Sequence, residues 1–208
     1  GIGKSITSSL QENVNVISPT RKELDLSSNS SVDDYISSLD VPIDIIVNCA
    51  GIHKAGNCED LTTHDFHNIL QINLIAPFQI ISGLVKGMKE RKYGRILNIS
   101  SIWSVVSKEK RSIYSASKSG LDGLTRTLAL ELAPFNILVN SIAPGYVDTK
   151  MIRLYNSKKE LEKIKKIIPL GRFAKPNEIG ELAKFMCSEK NSYITGQIIP
   201  IDGGYITQ

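Results

Sequence analysis

The 208-residue sequence predicts a doubly wound α/β fold, a parallel sheet covered by helices on both faces. Short apolar runs suited to strands buried on both sides recur at residues 14–18, 43–48, 95–99, 137–142 and 197–201. Segments with helical spacing lie between them, at 4–10, 32–39, 63–91, 113–133 and 176–188, with a lysine-rich helix at 158–166. A hydrophobic content of 41% over 208 residues is enough for one full core, and no composition shift marks a boundary, so a single domain spanning 1–208 is expected.

The helix at 4–10 follows Gly1-Ile2-Gly3, a glycine-spaced turn of the kind that lets a backbone approach a phosphate at a helix N-terminus. The cluster Ser27-Ser28-Asn29-Ser30-Ser31 reads as a loop and N-cap for the acidic helix start after it. The run ending at Asn48 passes into Asn48-Cys-Ala-Gly51, and the run Gly-Arg-Ile-Leu-Asn-Ile-Ser-Ser ends on Ser101, where a hydroxyl can emerge at the carboxyl edge of a sheet.

A net charge of +4 and a pI near 8.9 are only mildly basic, and the lysines are scattered or gathered at 158–166 instead of interleaved with aromatics. That pattern disfavours a nucleic-acid surface and suits a phosphate-bearing cofactor or an acidic carrier. No stretch is expected to reach the ~20 apolar residues of a membrane span, and no basic-then-apolar leader is visible, so a cytoplasmic protein is expected. Cys49, Cys58 and Cys187 lack metal-type spacing and read as free thiols of a reducing compartment. His64 and His67, with Cys58 nearby, lack a fourth ligand at recognisable spacing, so no metal is expected.

The most informative pair is Tyr114 and Lys118 in Tyr-Ser-Ala-Ser-Lys. Four residues apart on a helix they share a face, so the ammonium is expected to lie near the phenol and lower its pKa, making Tyr114 an acid or base. The plainer reading is two solvated helix residues. Ser101 thirteen positions upstream, and Asn73 in Gln-Ile-Asn, shift the balance toward chemistry.

Taken in order and spacing, Gly1-Ile2-Gly3, Asn48-Cys-Ala-Gly51, Asn73, Ser101, Tyr114, Lys118, Pro144-Gly145, Ile194-Thr-Gly-Gln and Asp202-Gly-Gly resemble a classical short-chain dehydrogenase/reductase over essentially the whole chain. The overall pattern is most similar to bacterial 3-oxoacyl-acyl-carrier-protein reductases. The resemblance implies a Rossmann fold, hydride transfer between a nicotinamide and a carbonyl carbon, and a catalytic set of Asn73, Ser101, Tyr114 and Lys118. It implies a strand and a Thr-Gly ahead of Gly1, and hence the expectation that upstream residues have been lost.

For the cofactor, the resemblance implies Gly1, Ile2 and Gly3 at the pyrophosphate, Asp25 and Leu26 at the adenine, and Asn48, Ala50 and Gly51 at its ribose. Tyr114 and Lys118 fall at the nicotinamide ribose, and Pro144, Gly145, Val147 and Thr149 around the nicotinamide. The alternative for Asp25 is a cap on the following helix. Ser18, Arg21 and Lys22, with no acid before Glu23, favour NADP, with NAD as the alternative and a solvated basic loop as the plainer reading. A lid is expected at 149–172, with Met151, Ile152, Leu154 and Tyr155 as apolar lining, and Trp103, Val106 and His53 as further pocket residues beside Ser101 and Tyr114.

The implied substrate is a 3-oxoacyl thioester on an acyl carrier protein, although of the two basic docking positions only Lys92 is kept and the other is Phe135. A sugar, polyol or small ketone is the alternative substrate, and a non-catalytic nucleotide-binding scaffold the alternative of another class. The helices at 63–91 and 113–133 imply a homotetramer.

Overall fold

The computed structural model describes residues 1–154 and 156–207, apart from the side chain of Met151. In chain order its helices are α1 (Ile2–Leu10), α2 (Asn29–Ser37), α3 (Thr63–Leu70), α4 (Ala76–Arg91), α5 (Ser112–Leu132), α6 (Lys150–Leu154), α7 (Lys158–Lys166) and α8 (Pro176–Cys187). The strands β1 (Ile45–Asn48), β2 (Gly94–Ile99), β3 (Ile137–Pro144) and β4 (Ile198–Ile201) stand side by side in that order, all parallel. Ile46 faces Ile96 across the first pairing and Ile96 faces Val139 across the second.

Side-chain alternation along the strands divides the core. Ile46, Ile96, Ile137 and Val139 pack with Ile81 and Met88 of α4 and Leu128, Ala129 and Leu132 of α5. Leu97, Ile99 and Ile142 point the other way, onto Ile6 and Leu10 of α1 and Ile179, Ala183 and Met186 of α8. The sheet is thus covered on both faces, which is why its strands read as continuous apolar runs. Helix α1 holds its place through the stripe Ile2, Ile6, Leu10, the Ser9 Oγ bond to Glu181 Oε1 at 3.0 Å and the Lys184–Glu12 ion pair.

Four of the five expected strands form. Residues 14–18 do not: Val16 packs against the core, but Val14 and Ile17 are exposed and the segment joins no ladder. A strand needs a neighbour, and among the described residues the outer edge of β1 carries none. No helix intervenes before α2, whose N-cap is Ser28, accepting from Ser31 N at 3.3 Å.

The expectation that no segment is long and apolar enough to span a membrane is corrected. Thr63–Arg91 is a continuous 29-residue helical run that passes on length and composition. It is apolar on two sides, because Ile69, Ile81 and Met88 enter the core while Ile75 and Phe78 are exposed. Cys49, Cys58 and Cys187 are free thiols, as expected.

Candidate active site

The carboxyl ends of the parallel strands gather the residues singled out in the sequence. Asn48 ends β1, Ser101 follows β2, Pro144 and Gly145 close β3, and Gly145 N donates to Ile201 O at 3.0 Å, tying the ends of β3 and β4 together. In open α/β sheets this edge is where ligands bind. Behind it a buried polar chain fixes the spacing: Asn48 Nδ2 donates to Asn98 Oδ1 at 2.9 Å, Asn98 Nδ2 to Thr125 Oγ1 at 2.8 Å, and Thr125 Oγ1 lies 2.9 Å from Ser141 Oγ. These amides and hydroxyls satisfy one another, so the polar seam costs little.

Asn73 sits in a π-turn, Gln71–Ile75, that joins α3 to α4. The extra residue in the turn throws its side chain inward. Its Oδ1 accepts from Ile52 N at 2.9 Å, and its Nδ2 donates to Ile52 O at 2.9 Å and to Ser117 Oγ at 3.0 Å. Asn73 therefore clamps the turn after β1 to the helix that carries Tyr114 and Lys118. Gly51 permits this approach, since a Cβ there would stand 3.2 Å from Asn73 Oδ1 and 3.5 Å from Lys118 Nζ.

Ser101 caps a short 3₁₀ turn, Ile102–Ser104, its Oγ accepting from Trp103 N at 3.3 Å. Its hydroxyl also meets the Tyr114 phenol and draws that pKa down, against the larger upward push of burial; the net direction is above the usual phenol value. Lys118 is buried, its Nζ donating to Ile99 O at 2.7 Å, and burial brings its pKa down to about 8. Lys118 stands near Tyr114 as expected, its ammonium 5.9 Å from that ring's centroid and bound to the strand-end carbonyl, and the Arg111 charge also draws the phenol down.

Trp103 enters an aromatic cluster with Tyr146 and Tyr205, at centroid distances of 6.1 and 5.8 Å. A cleft of about 470 Å³ adjoins it, lined by Val106, Ser107, Ile167, Tyr205 and Ile206. His53 lies edge-on to Tyr114 at 5.8 Å and is hydrogen-bonded to Arg111. Leu154 is 78% exposed and lines nothing in this conformation; the Met151 side chain and Tyr155 fall outside the described residues. Arg111, Tyr146 and Tyr205 escaped sequence reasoning. Arg111 is the N-cap of α5, three residues before Tyr114, and Tyr146 follows Pro144-Gly145, so both carried a positional signal; Tyr205 carried none.

The cofactor positions fall into two groups. Gly1 stands at the N-cap of α1, and a Cβ on Gly3 would lie 3.5 Å from Cys49 Sγ, beside the Asn48–Gly51 turn. Val147 is buried and pairs in a parallel bridge with Ala174, while Thr149 is half-buried. Ser18 and Arg21 stand exposed, and Arg21 Nε lies 3.8 Å from Asp25 Oδ1. Asp25 does not cap α2: its Oδ1 accepts from Ser27 N and Oγ, and Ser28 takes the cap. Leu26 O accepts from Gln71 Nε2 at 3.4 Å. Among the described residues no three His, Cys, Asp or Glu side chains converge as a metal site would require.

These residues fit a dinucleotide. The first turn of α1 lies beside the Asn48–Gly51 turn, and the buried Lys118 ammonium makes one described hydrogen bond of the three it can donate. At the carboxyl edge of the parallel sheet a phenol, a hydroxyl and an ammonium are gathered, a set able to give hydrogen bonds and a proton to an oxygen that gains charge.

A family model described as enoyl-(acyl carrier protein) reductase matches residues 3–206. The chain is 39% identical over 185 residues to the 3-oxoacyl-[acyl-carrier-protein] reductase of Aquifex aeolicus, covering 88% of this chain and 74% of that protein. It is 39% identical over 163 residues to the acetoacetyl-CoA reductase of Shinella zoogloeoides, covering 78% and 68%. Among solved structures, a gluconate 5-dehydrogenase from Burkholderia cenocepacia in complex with NADP and tartrate superposes with a TM-score of 0.92 at 25% identity, over 100% of this chain and 92% of that one. The chain belongs to the short-chain dehydrogenase/reductase family.

Proposed function

We propose that the protein is an NADP-dependent carbonyl reductase, with 3-oxoacyl thioesters as the substrate class its relatives support. The observation that carries the chemistry is the juxtaposition of Ser101 and Tyr114 at the strand ends, with buried Lys118 one helical turn after Tyr114. When bound, the nicotinamide supplies the hydride. Ser101 Oγ and Tyr114 Oη donate to the carbonyl oxygen as it gathers charge, and Tyr114 gives up its proton to it. Burial keeps the phenol protonated at neutral pH, which suits a donor in the reductive direction. Lys118 holds the nicotinamide ribose and, through a water beside Asn73, renews the phenolic proton. Asn73 also fixes the turn over which the adenine ribose passes.

Gly1, Ile2 and Gly3 take the pyrophosphate at the start of α1. Asp25 and Leu26 flank the adenine, and Val147 and Thr149 the nicotinamide. Exposed Ser18 and Arg21 suit the extra phosphate of NADP, the cofactor bound in the Burkholderia cenocepacia dehydrogenase. Residues 149–172, with α6 and α7, form the lid of a single domain in this reading, and Trp103 and Met151 contact substrate. Docking of an acyl carrier protein uses Lys92; at Phe135 the missing charge is offset by Lys89, whose Nζ lies 4.9 Å from that ring's centroid. A homotetramer in the cytoplasm completes the reading.

A second reading, a dehydrogenase of a small hydroxy acid or sugar acid, draws on the gluconate 5-dehydrogenase likeness and the departure at Phe135. Absorbance at 340 nm with NADPH or NADH, against acetoacetyl thioester and a panel of ketones and sugars, tests both. Oxidation of NADPH dependent on thioester supports the first, activity confined to another carbonyl supports the second, and silence throughout leaves the scaffold alternative.

A further inference from the structure

Arg111 is placed at the rim of the catalytic residues by a backbone that departs from the ordinary. The preceding Lys110 adopts φ of 63°, a left-handed conformation that a lysine enters only when its surroundings hold it there, and its carbonyl accepts from Gly56 N at 3.3 Å. The loop after β1 and the loop before α5 are thereby locked together. Across that junction Arg111 Nη1 donates to His53 Nε2. Burial, reinforced by the Arg111 charge, lowers the His53 pKa, so the ring stays neutral and can accept. The same ring stands edge-on to Tyr114. A guanidinium carries five N–H donors, so most of its fork remains to be used.

No carboxylate among the described residues pairs with Arg111 or with Lys108. Lys108 Nζ donates to Tyr146 Oη at 3.4 Å and lies 6.0 Å from the Trp103 ring centroid. Two uncompensated cations therefore flank the aromatic wall next to the reacting position. An apolar acyl chain gains nothing from them. The phosphate of a pantetheine arm lies many bonds from the acyl carbonyl, too far to meet a guanidinium that acts directly on Tyr114.

We propose that Arg111, positioned by His53 and supported by Lys108, forms a subsite for a carboxylate on the substrate, within a few bonds of the reacting carbonyl, so that the enzyme's preferred substrate is a small oxo acid or the corresponding hydroxy acid. The planar fork of Arg111 matches a carboxylate with two parallel hydrogen bonds. The proposal rests on the carbonyl-reduction reading and decides between its substrate classes.

The test compares wild type, Arg111→Gln and Arg111→Lys with NADPH on acetoacetate, acetoacetyl-N-acetylcysteamine, 2-pentanone and dihydroxyacetone phosphate. Wild type is expected to favour acetoacetate, and Arg111→Gln to lower the acetoacetate/2-pentanone ratio of kcat/KM by roughly 10- to 100-fold, mainly through KM, with Arg111→Lys restoring part of it. A ratio unchanged by Arg111→Gln overturns the subsite, as does a wild-type preference for the thioester or the phosphate ester. Should wild type reduce none of the four, the reductase reading fails by itself. Saturation-transfer NMR with butyrate on the NADP-loaded protein then decides separately: binding to wild type and to Tyr114→Phe but not to Arg111→Gln supports the subsite, and equal or absent binding in all three overturns it.

Discussion

Tyr114 is controlled by its neighbours more than by its place in a motif. Burial raises its pKa, Ser101 and Arg111 pull it back, and the phenol is left protonated and hydrogen-bonded where a carbonyl oxygen would arrive. Tyr114→Phe keeps the ring and its edge contact with His53 but removes the proton. Turnover is expected to fall by about 100-fold or more, with NADP affinity, followed by fluorescence titration, little changed. Near-normal turnover would dismiss Tyr114 as the acid.

Lys118 gives a second test at the same scale. Its folded pKa is about 8, against 10.5 for an ordinary lysine, chiefly through burial. Below pH 8 both folded and unfolded chains carry the charge, and the folded state bears the full cost of burying it. Between about 8 and 10.5 the unfolded chain binds more protons, so stability contributed by this group rises with pH across that window. The Tm of wild type minus that of Lys118→Met should therefore increase as pH is raised from 7.5 to 10.5. Cys49, raised to about 11, works in the opposite direction and shares a charge interaction with Lys118, so both proteins carry Cys49→Ser in this comparison. A flat difference would mean that the ammonium is well solvated.

Among the elements, α1 depends on α8 more than its sequence suggests. Only nine residues long, α1 gains most of its stability from tertiary packing, and the two helices cross at Gly180. A Cβ there would meet Ser9 Oγ at 2.7 Å and the backbone oxygen of Ser5 at 3.0 Å, and the backbone oxygen cannot swing away. Gly180→Ala should cost about 1–3 kcal/mol in denaturant unfolding. Because α1 opens on Gly1 and Gly3, NADP affinity should weaken with it; unchanged affinity would separate the helix from the cofactor site.

The limits of sequence reading are visible in the same elements. Strands β1 to β4 and the Tyr114–Lys118 face of α5 were legible because side-chain period and burial are local properties of a segment. Residues 14–18 have the same apolar signature, but whether a ladder forms depends on a neighbour that the segment cannot encode. The kink read at Asn73 is the π-turn Gln71–Ile75, whereas the Arg111–His53 pair escaped because it is decided by contact between loops 58 positions apart in sequence.

At the scale of the whole molecule, the helical run Thr63–Arg91 poses a single question: what covers its second apolar side. Ile69, Ile81 and Met88 already pack into the core, so moving this helix into a bilayer would dismantle one layer of the fold. Ile75 at 43% and Phe78 at 49% exposure remain on the outside, and another copy of the same helix can cover them without disturbing the core. A self-complementary contact of this kind is how symmetric oligomers form. An aspartate in place of Phe78 forfeits about 1.5–3 kcal/mol of apolar burial per copy and sets like charges across the symmetry axis. Light scattering after size exclusion should then give a multiple of the 22.9 kDa chain mass for wild type and a smaller species for Phe78→Asp, with the circular dichroism of the subunit preserved. An unaltered mass would place the contact elsewhere on the surface, and a wild type that runs as a single chain would remove the homotetramer from the proposal.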